Sequence, residues 1–323
     1  MNTTPPIVAI VSPCYNEAEA LPLSTPQFLS ALESWIYEGL VSPESFILFV
    51  DDGSKDQTWE TILKMRANSS KVHGLKLAQN VGHQPALLAG LKYSTPLVDC
   101  AISIDADLQD DIGCAKEMIQ HFVKDKNDVV YGVRRRREKD TFFKRISARA
   151  FYVLMKKMGT NVIYDHADYR LLSRKALSYL GQFQEVHLFL RGLVLLTSKN
   201  SSIVYYDRNE RVAGESKYPL KKMLTFAWNG ITSFSNKPLQ MISALGLIIC
   251  GVTVLLGVYA LYRYFTGNTL VGWTSLIISI YFLGGVQLLS LGVIGQYVGK
   301  IYLESKGRPQ FFIDQGTLPD SSK

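Results

Sequence analysis

The chain has 323 residues, of which 47% are hydrophobic and 20% are charged, and its formal net charge is +7. This content allows one substantial globular core together with chain embedded in a membrane. The positive net charge is compatible with binding to nucleic acid, anionic lipid or phosphorylated substrates, and does not distinguish among these ligands. The four cysteines form no C-x-x-C pair, which argues against a zinc site and fits free thiols in a reduced compartment.

The first hundred residues alternate between apolar, β-branched runs and helix-favouring segments. In chain order, the predicted elements are the strand Ile7–Ser12, the helix Leu29–Tyr37, the strand Phe46–Val50, the helix Thr58–Ala67 and the strands Val72–Leu77 and Cys100–Ile104. This alternation predicts an α/β fold with a mostly parallel sheet covered on both faces. Met1–Pro6 lacks a basic segment followed by an apolar run, so we expect no cleavable signal peptide.

Polar motifs follow the first two predicted strands, where α/β sheets bind ligands. The first is S-P-C-Y-N-E at 12–17 and the second is D-D-G-S-K-D at 51–56. Their acidic groups are able to accept hydrogen bonds from a base N–H or from ribose hydroxyls, and Gly53 permits a tight turn. Alternatively, Ser54 or Asp56 caps the helix that begins at Thr58.

The motif D-A-D-L-Q-D at 105–110 follows the fourth predicted strand. In an extended chain alternate side chains share a face, so Asp105, Asp107 and Gln109 are expected to point the same way. Such oxygen ligands suit Mg²⁺ or Mn²⁺, which neutralise a diphosphate leaving group. The alternative is a solvated acidic turn.

Two later segments, Phe142–Met158 and Tyr218–Phe234, mix lysine and arginine with aromatic residues. Helices of this kind lie in the headgroup layer of a membrane, and the alternative is packing against the sheet. The run Arg134–Arg137 either binds lipid headgroups or forms a solvated loop.

Long uncharged runs, Leu239–Tyr262 and Val271–Val298, distinguish the last third of the chain. About 20 helical residues cross the hydrocarbon core, so both runs are predicted membrane spans rather than buried core helices. Gly295 and Gly299 in the second span form a G-x-x-x-G pair, which serves either packing of the two spans or association of chain copies into a homo-oligomer.

Basic residues flank the outer ends of both predicted spans, and the connector has only Arg263 nearby. The positive-inside rule therefore predicts a multi-pass protein of the cytoplasmic membrane with the N-terminal domain and both termini in the cytoplasm. The clustering of basic residues beside the membrane disfavours nucleic-acid binding. The basic flanks are Lys217, Lys221, Lys222 and Lys237 before the first span, and Lys300, Lys306 and Arg308 after the second.

The ordered motifs resemble those of inverting family-2 glycosyltransferases. The resemblance rests on P-C-Y-N-E, D-D-G-S-K-D, N-V-G-H-Q-P-A-L-L-A-G-L at 80–91, D-A-D-L-Q-D and A-D-Y-R-L-L-S-R at 167–174. R-V-A-G-E-S-K-Y at 211–218 and G-K-I-Y-L-E-S-K-G-R-P at 299–309 make the whole similar to polyprenyl-phosphate sugar transferases, the branch of bactoprenol glucosyltransferases and dolichol-phosphate mannose synthases. The resemblance covers roughly residues 7–312.

The resemblance implies a cytoplasmic GT-A domain at 1–216, a juxtamembrane amphipathic helix at 217–237, two transmembrane helices at 238–299 and a cytoplasmic tail at 300–323. It also implies transfer of a sugar from a nucleotide-sugar to polyprenyl phosphate, with Mg²⁺ or Mn²⁺. UDP-glucose is the expected donor, with N-acetylglucosamine or mannose as alternative sugars.

The resemblance also assigns roles to individual residues. It implies a catalytic Asp168, whose alternative is a buried salt bridge with Arg170 or Arg174. The implied nucleotide-binding residues are Pro13, Tyr15, Glu17, Asp52 and Asp105. The implied metal ligands are Asp105, Asp107 and Gln109, and the implied phosphate contacts are Arg170, Arg211, Ser216 and Lys217.

Two departures from the family pattern bear on function. Gln79 and His83 stand where many relatives carry arginine and lysine, which puts phosphate contacts from that loop in doubt. The Q-x-x-R-W motif of processive synthases does not occur in the sequence, which favours a single transfer per acceptor. A nucleotide-sugar sensor without turnover and a transporter remain alternatives; the intact Asp105, Asp107 and Asp168 argue against the sensor.

Overall fold

The structure is a computed structural model that describes residues 4–107, 109–134, 166–186, 188–207, 232, 235–266 and 272–319. Within these ranges the strands form one sheet. They are Val8–Cys14 (β1), Phe46–Asp51 (β2), Val72–Leu77 (β3), Cys100–Ser103 (β4), Val129–Arg134 (β5), His166–Ser173 (β6), Ser201–Tyr206 (β7) and Ile313–Gly316 (β8).

The strand order is β7-β5-β6-β4-β1-β2-β3-β8. The four strands predicted from the sequence, β1 to β4, pair in parallel with one another, which is how strands joined by crossover helices pair. β5 pairs in parallel with β7, whereas β6 is antiparallel to both β4 and β5. The predicted α/β fold with a mostly parallel sheet is therefore confirmed.

The described residues include helices that cover both faces of the sheet and, near the C-terminus, two long helices. They are Leu21–Tyr37 (α1), Thr58–Asn68 (α2), His83–Ser94 (α3), Gly113–Asp125 (α4), Arg174–Gln182 (α5), Leu190–Thr197 (α6), Lys237–Phe265 (α7) and Trp273–Ser305 (α8). The first helix begins eight residues before the predicted start at Leu29. Pro22 does not prevent this, because the first turn of a helix needs no N–H from it.

Alternate residues of the central strands feed two apolar cores. Ile47 and Phe49 of β2 join the core under α1, α2 and α4, whereas Leu48 and Val50 join the core under α3, α5 and α6. The helix α3 lies very close to the sheet, since a Cβ added at Gly90 would come within 2.5 Å of the Val50 side chain. This close packing holds α3 against the sheet.

The two C-terminal helices are long and apolar enough to cross a membrane, over Lys237–Tyr259 and Ile278–Ser305. None of either apolar window is buried in the described part of the chain, unlike the core helices of a soluble domain. A Cβ at Gly295 or Gly299 would meet no heavy atom within 4 Å, so this glycine pair does not pack α8 against α7 among the described residues.

The edge strand β8 was not predicted from the sequence. It follows α8 and pairs antiparallel with β3, with Leu75 opposite Gly316. The residues 300–323, expected to be a tail, thus include a strand of the N-terminal sheet. The predicted amphipathic segments Phe142–Met158 and Tyr218–Phe234 lie outside the described residues, apart from Thr232.

Gly53 offers a test of how the loops at the sheet edge pack. Its φ is +63° and a Cβ there would lie 2.5 Å from the carbonyl carbon of Gln79. We expect Gly53→Ala to lower the free energy of unfolding by about 2–4 kcal/mol, from backbone strain plus overpacking. Chemical denaturation of the detergent-solubilised protein measures this.

Gly39 is the matched control, because its φ is +69° but no heavy atom lies within 4 Å of the added Cβ. Gly39→Ala should lower the free energy of unfolding by about 1 kcal/mol, from the strain of a left-handed backbone alone. Equal losses of unfolding free energy in Gly53→Ala and Gly39→Ala would contradict the contact between Gly53 and the loop at Gln79.

Candidate active site

The polar motifs meet at one edge of the sheet. β1, β2 and β4 run in parallel and end there, at Cys14, Asp51 and Ser103. β6 runs the opposite way, so its first residues lie at the same edge. The register pairs Ser103 with Arg170, and continuing it by two residues brings Asp105 opposite Asp168. The antiparallel strand therefore brings the motif that contains Asp168 next to the acidic motif.

The first two motifs are bound to each other. Asn16 donates its backbone N–H to Ser54 Oγ at 2.9 Å, and its Oδ1 accepts from the backbone of Lys55. The backbone N–H of Glu17 donates to Thr58 Oγ1 at 2.9 Å. Tyr15, next to these contacts, is 41% exposed. Asp56 accepts from Thr58 N at 3.1 Å, but the N-cap of α2 is Gln57 and makes no side-chain capping hydrogen bond, so the predicted cap by Ser54 or Asp56 is not present.

Asp52 holds the loop that precedes α3. Its carboxylate accepts hydrogen bonds from the backbone of Val81 at 2.8 Å and Gly82 at 2.9 Å, and from Asn80 Nδ2 at 3.0 Å. Burial raises the pKa of Asp52, and the two backbone hydrogen bonds oppose that shift. A nucleotide-binding role for Asp52 stays a prediction, and its contacts here are with the chain itself.

Asp51 is a candidate that the sequence analysis did not single out. The side chain is buried and Oδ1 accepts from Ser54 N at 3.0 Å, whereas Oδ2 has no hydrogen-bond partner among the described residues. A buried carboxylate oxygen without a partner is costly, and a donor group on a ligand would satisfy it. The acidic pair at 51–52 was visible in the sequence, but which member faces the loop depends on the strand register.

The acidic motif forms a turn rather than an extended chain. β4 ends at Ser103, and Asp107 Oδ1 accepts from the backbone of Gln109 at 3.2 Å. The extended conformation expected for this motif is therefore wrong, while the ligand roles of Asp105, Asp107 and Gln109 stay predictions. Gln109 is 8% exposed, and its neighbour Asp110 accepts from Tyr206 Oη at 2.6 Å.

The charge around Asp105 fits a divalent cation. The loss of surrounding water, opposed by His83 and reinforced by three neighbouring carboxylates, raises the pKa of Asp105 to about 6. A hard cation with oxygen ligands would relieve that crowding, so the residues present fit Mg²⁺ or Mn²⁺. The described residues contain no group of three or more His, Cys, Asp or Glu arranged around one ion position. Water and substrate oxygens would therefore complete the coordination.

Asp168 lies at the centre of a charged cluster. Arg170 donates to its Oδ1 through Nη2, and Arg191 contacts both carboxylate oxygens at 3.3 Å through Nε and Nη2. His83 Nε2 lies 3.8 Å from Asp168 Oδ2 and 3.7 Å from Asp105 Oδ1. The expected alternative of a buried salt bridge with Arg170 is thus present, and Arg174 instead pairs with Asp99.

The two arginines decide the charge of Asp168. Burial by itself would raise the pKa of this carboxyl, but the charges of Arg191 and Arg170 outweigh burial and hold the pKa well below the usual aspartate range. Arg170 is 1% exposed; its Nη2 donates to Asp168, whereas its Nη1 has no hydrogen-bond partner among the described residues, so the phosphate contact from Arg170 stays a prediction. The other predicted phosphate contacts, Arg211, Ser216 and Lys217, lie outside the described residues.

Arg191 is the second residue that the sequence analysis missed. It stands in the first turn of α6, 23 positions after Asp168. An arginine in an apolar eight-residue helix carries no local signal for a catalytic contact, so only the folded chain identifies it.

The pH dependence of stability tests the state of Asp168. We expect Asp168→Asn to lower the free energy of unfolding by about 3 kcal/mol at pH 7, because it leaves the Arg170 charge buried without its counter-ion. The folded-state pKa lies below the unfolded value of about 3.9, so ionisation stabilises the fold above that pH. The stabilisation is lost as the pH falls through the folded-state pKa.

Denaturation curves between pH 3 and pH 7 measure the difference between wild type and Asp168→Asn. The difference should be constant at neutral pH and shrink below about pH 4. Glu38→Gln is the control, since Glu38 pairs with Lys116 on the surface and its loss should change little at any pH. A difference that grows on acidification would mean that Asp168 is protonated in the folded protein.

Comparison with known proteins gives the family. The model described as Glycosyl transferase family 2 matches residues 9–181. An uncharacterized glycosyltransferase of Bacillus subtilis (strain 168), YkoT, is 49% identical over 97% of this chain and 93% of its own.

Two further relatives carry more specific names. Bactoprenol glucosyl transferase of Shigella phage SfX is 37% identical over 95% of this chain and 98% of its own. A prophage bactoprenol glucosyl transferase homolog of Escherichia coli (strain K12) is 36% identical over the same shares. The predicted resemblance is confirmed, and the chain belongs to glycosyl transferase family 2, as a glycosyltransferase with the GT-A fold.

Proposed function

We propose that the enzyme transfers a single sugar from a nucleotide-sugar to a polyprenyl phosphate, with inversion, at the cytoplasmic face of a membrane. The observation that carries this proposal is the cluster of Asp105, His83 and Asp168, where an ionised, arginine-held carboxylate faces the acidic motif. The bactoprenol glucosyl transferases similar to this chain support a lipid acceptor and make glucose from UDP-glucose the first donor to test.

The donor would lie along the carboxyl ends of β1, β2 and β4. In this arrangement Pro13, Tyr15 and Glu17 line one side of the nucleotide pocket. The acidic pair at 51–52 borders the other side. Asp105 and Asp107, with Gln109 as a further ligand, hold the cation. Bound Mg²⁺ or Mn²⁺ supplies positive charge for the leaving nucleoside diphosphate.

The acceptor's own ionisation decides what Asp168 does. A phosphate oxygen of the lipid attacks the anomeric carbon and the nucleoside diphosphate departs from the opposite face. A phosphate monoester has a second pKa of about 6, so it needs no base to remove a proton at neutral pH. A carboxylate whose pKa is lowered by two arginines is also a weak base. We infer that Asp168 orients the acceptor or a sugar hydroxyl.

Chain geometry supports the proposed membrane arrangement. β3 precedes both apolar helices and β8 follows them, yet the two strands share one sheet. They must lie on the same side of any membrane that the helices cross, so the helices cross it an even number of times. The basic residues that flank the spans support a cytoplasmic location for that side, by the positive-inside rule.

The proposed domain arrangement follows from the same geometry. We retain a catalytic domain at 1–216, a juxtamembrane helix at 217–237 and two membrane helices at 238–299. Residues 300–323 belong to the cytoplasmic part and return a strand to the catalytic sheet. Association of chain copies through Gly295 and Gly299 is the proposed use of that pair.

Transfer into lipid is the direct test. Detergent-solubilised protein, undecaprenyl phosphate and a panel of radiolabelled nucleotide-sugars should give label in the organic extract with UDP-glucose first, and with the N-acetylglucosamine or mannose donors as alternatives. EDTA should abolish transfer, and Mg²⁺ or Mn²⁺ should restore it. Asp107→Ala should remove nearly all transfer while the protein stays folded, because the cation loses a ligand.

Asp125→Ala is the matched control, since Asp125 is an exposed carboxylate on α4 that contacts His121 and lies outside the candidate site. It should transfer at the wild-type rate. Full activity in EDTA would contradict the metal assignment. Nucleotide-sugar binding without turnover for every donor would favour the alternative of a sensor.

A further inference from the structure

The chain that leaves α8 returns to the catalytic domain and contacts it beside the candidate site. We call residues 304–312 the clasp, from the last turn of α8 to the start of β8. The contacts of the clasp fall on two catalytic segments that are far apart in sequence, the chain before α6 and the chain after β3. Nothing in the family assignment or in the motifs gives this segment a role.

The first contact holds the chain before α6. Both carboxylate oxygens of Glu304 accept from the backbone N–H of Val186, at 2.9 and 3.0 Å. Gln310 donates its Nε2 to the carbonyl oxygen of Glu185. A charged acceptor and an amide donor thus hold both polar atoms of the single peptide group between Glu185 and Val186, and they do so from the cytoplasmic end of a proposed membrane helix.

That chain leads directly to the arginine on Asp168. The backbone N–H of Leu190, the first residue of α6, donates to Gln84 Oε1 of α3 at 3.1 Å. The next residue, Arg191, contacts both carboxylate oxygens of Asp168 at 3.3 Å. The position of Arg191 is therefore set by α3 on one side and by the segment that Glu304 holds on the other.

The second contact holds the chain after β3. The carbonyl oxygen of Phe312 accepts from Ala78 N at 2.9 Å, one residue beyond the end of β3. Four residues later the loop held by Asp52 ends at Gly82, and His83 reaches towards Asp105 and Asp168. The clasp thus supports both neighbours of Asp168 that come from outside its own strand.

We propose that the clasp is a positioning element: Glu304 and Gln310 set the start of α6 so that Arg191 holds Asp168 in its catalytic orientation. The end of the second membrane helix is then linked to Asp168 through these contacts, so the rate of transfer depends on the position of that helix. The inference rests on the proposed function only in taking Asp168 as the group that orients the acceptor.

Steady-state transfer by the full-length protein tests the inference. Glu304→Ala should lower kcat by about tenfold to a hundredfold, as small misplacements of catalytic groups do, with KM for the nucleotide-sugar within about twofold. Glu304→Gln should recover most of the rate, because its amide oxygen still accepts from Val186 N. An unchanged kcat in Glu304→Ala, or no recovery in Glu304→Gln, would overturn the proposal.

Gln315→Ala is the matched control within the same returning segment. Gln315 Oε1 accepts from Trp59 Nε1 at 3.2 Å, on α2 and away from the site. The variant should lower thermal stability while kcat stays at the wild-type value. A fall in kcat equal to that of Glu304→Ala would mean that the returning segment acts only by holding the fold together.

A double-mutant cycle in unfolding free energy needs no substrate. If Glu304 acts through Arg191, the cost of Asp168→Asn should be smaller in the Glu304→Ala background than in wild type, because Arg191 is already displaced. Additive costs would refute the coupling. Wild-type protein that transfers no sugar to polyprenyl phosphate would refute the proposed function, and the cycle would still decide the clasp.

Discussion

The ion cluster around Asp168 is the interaction on which the rest of the site depends. Removing a carboxylate and two guanidinium groups from water is costly, and the cost is recovered only if the geometry is good and the charges stay paired. Here Arg170 comes from the same strand and face as Asp168, whereas Arg191 comes from a separate helix. Such a cluster keeps Asp168 ionised and fixes its direction, which suits a group that orients a substrate better than one that accepts a proton.

The mixed sheet explains how this cluster meets the acidic motif. If β6 were parallel to β4, the residue that follows β4 would lie beside the carboxyl end of β6. Because β6 is antiparallel to β4, its amino end lies at that edge instead, and the register brings Asp168 opposite Asp105. His83 at the start of α3 lies within 4 Å of both. One strand reversal therefore gathers three separate motifs into one site.

Local patterns were sufficient for the elements that carry strong local signals. β3 has the predicted bounds, and β2 extends one residue beyond its predicted end, to Asp51. Short apolar runs between helix-favouring segments are a clear signal for buried strands. β8 escaped prediction because I-D-Q-G is short, exposed and polar, and only its partner β3 makes it a strand. The extended conformation of the acidic motif was wrongly predicted because the chain turns at Ala106 and Asp107. Arg191 was not predictable, since its role comes from a tertiary contact.

Turnover by Asp168→Asn and Asp168→Ala tests the central claim most directly. If Asp168 orients the acceptor, Asp168→Asn should keep part of the hydrogen bonding and lose roughly tenfold, less than Asp168→Ala. A general base would instead contribute about 10²–10⁴-fold, and the residual rate would rise with pH. A loss above about a thousandfold in Asp168→Asn, with nucleotide-sugar binding intact, would contradict the orienting role.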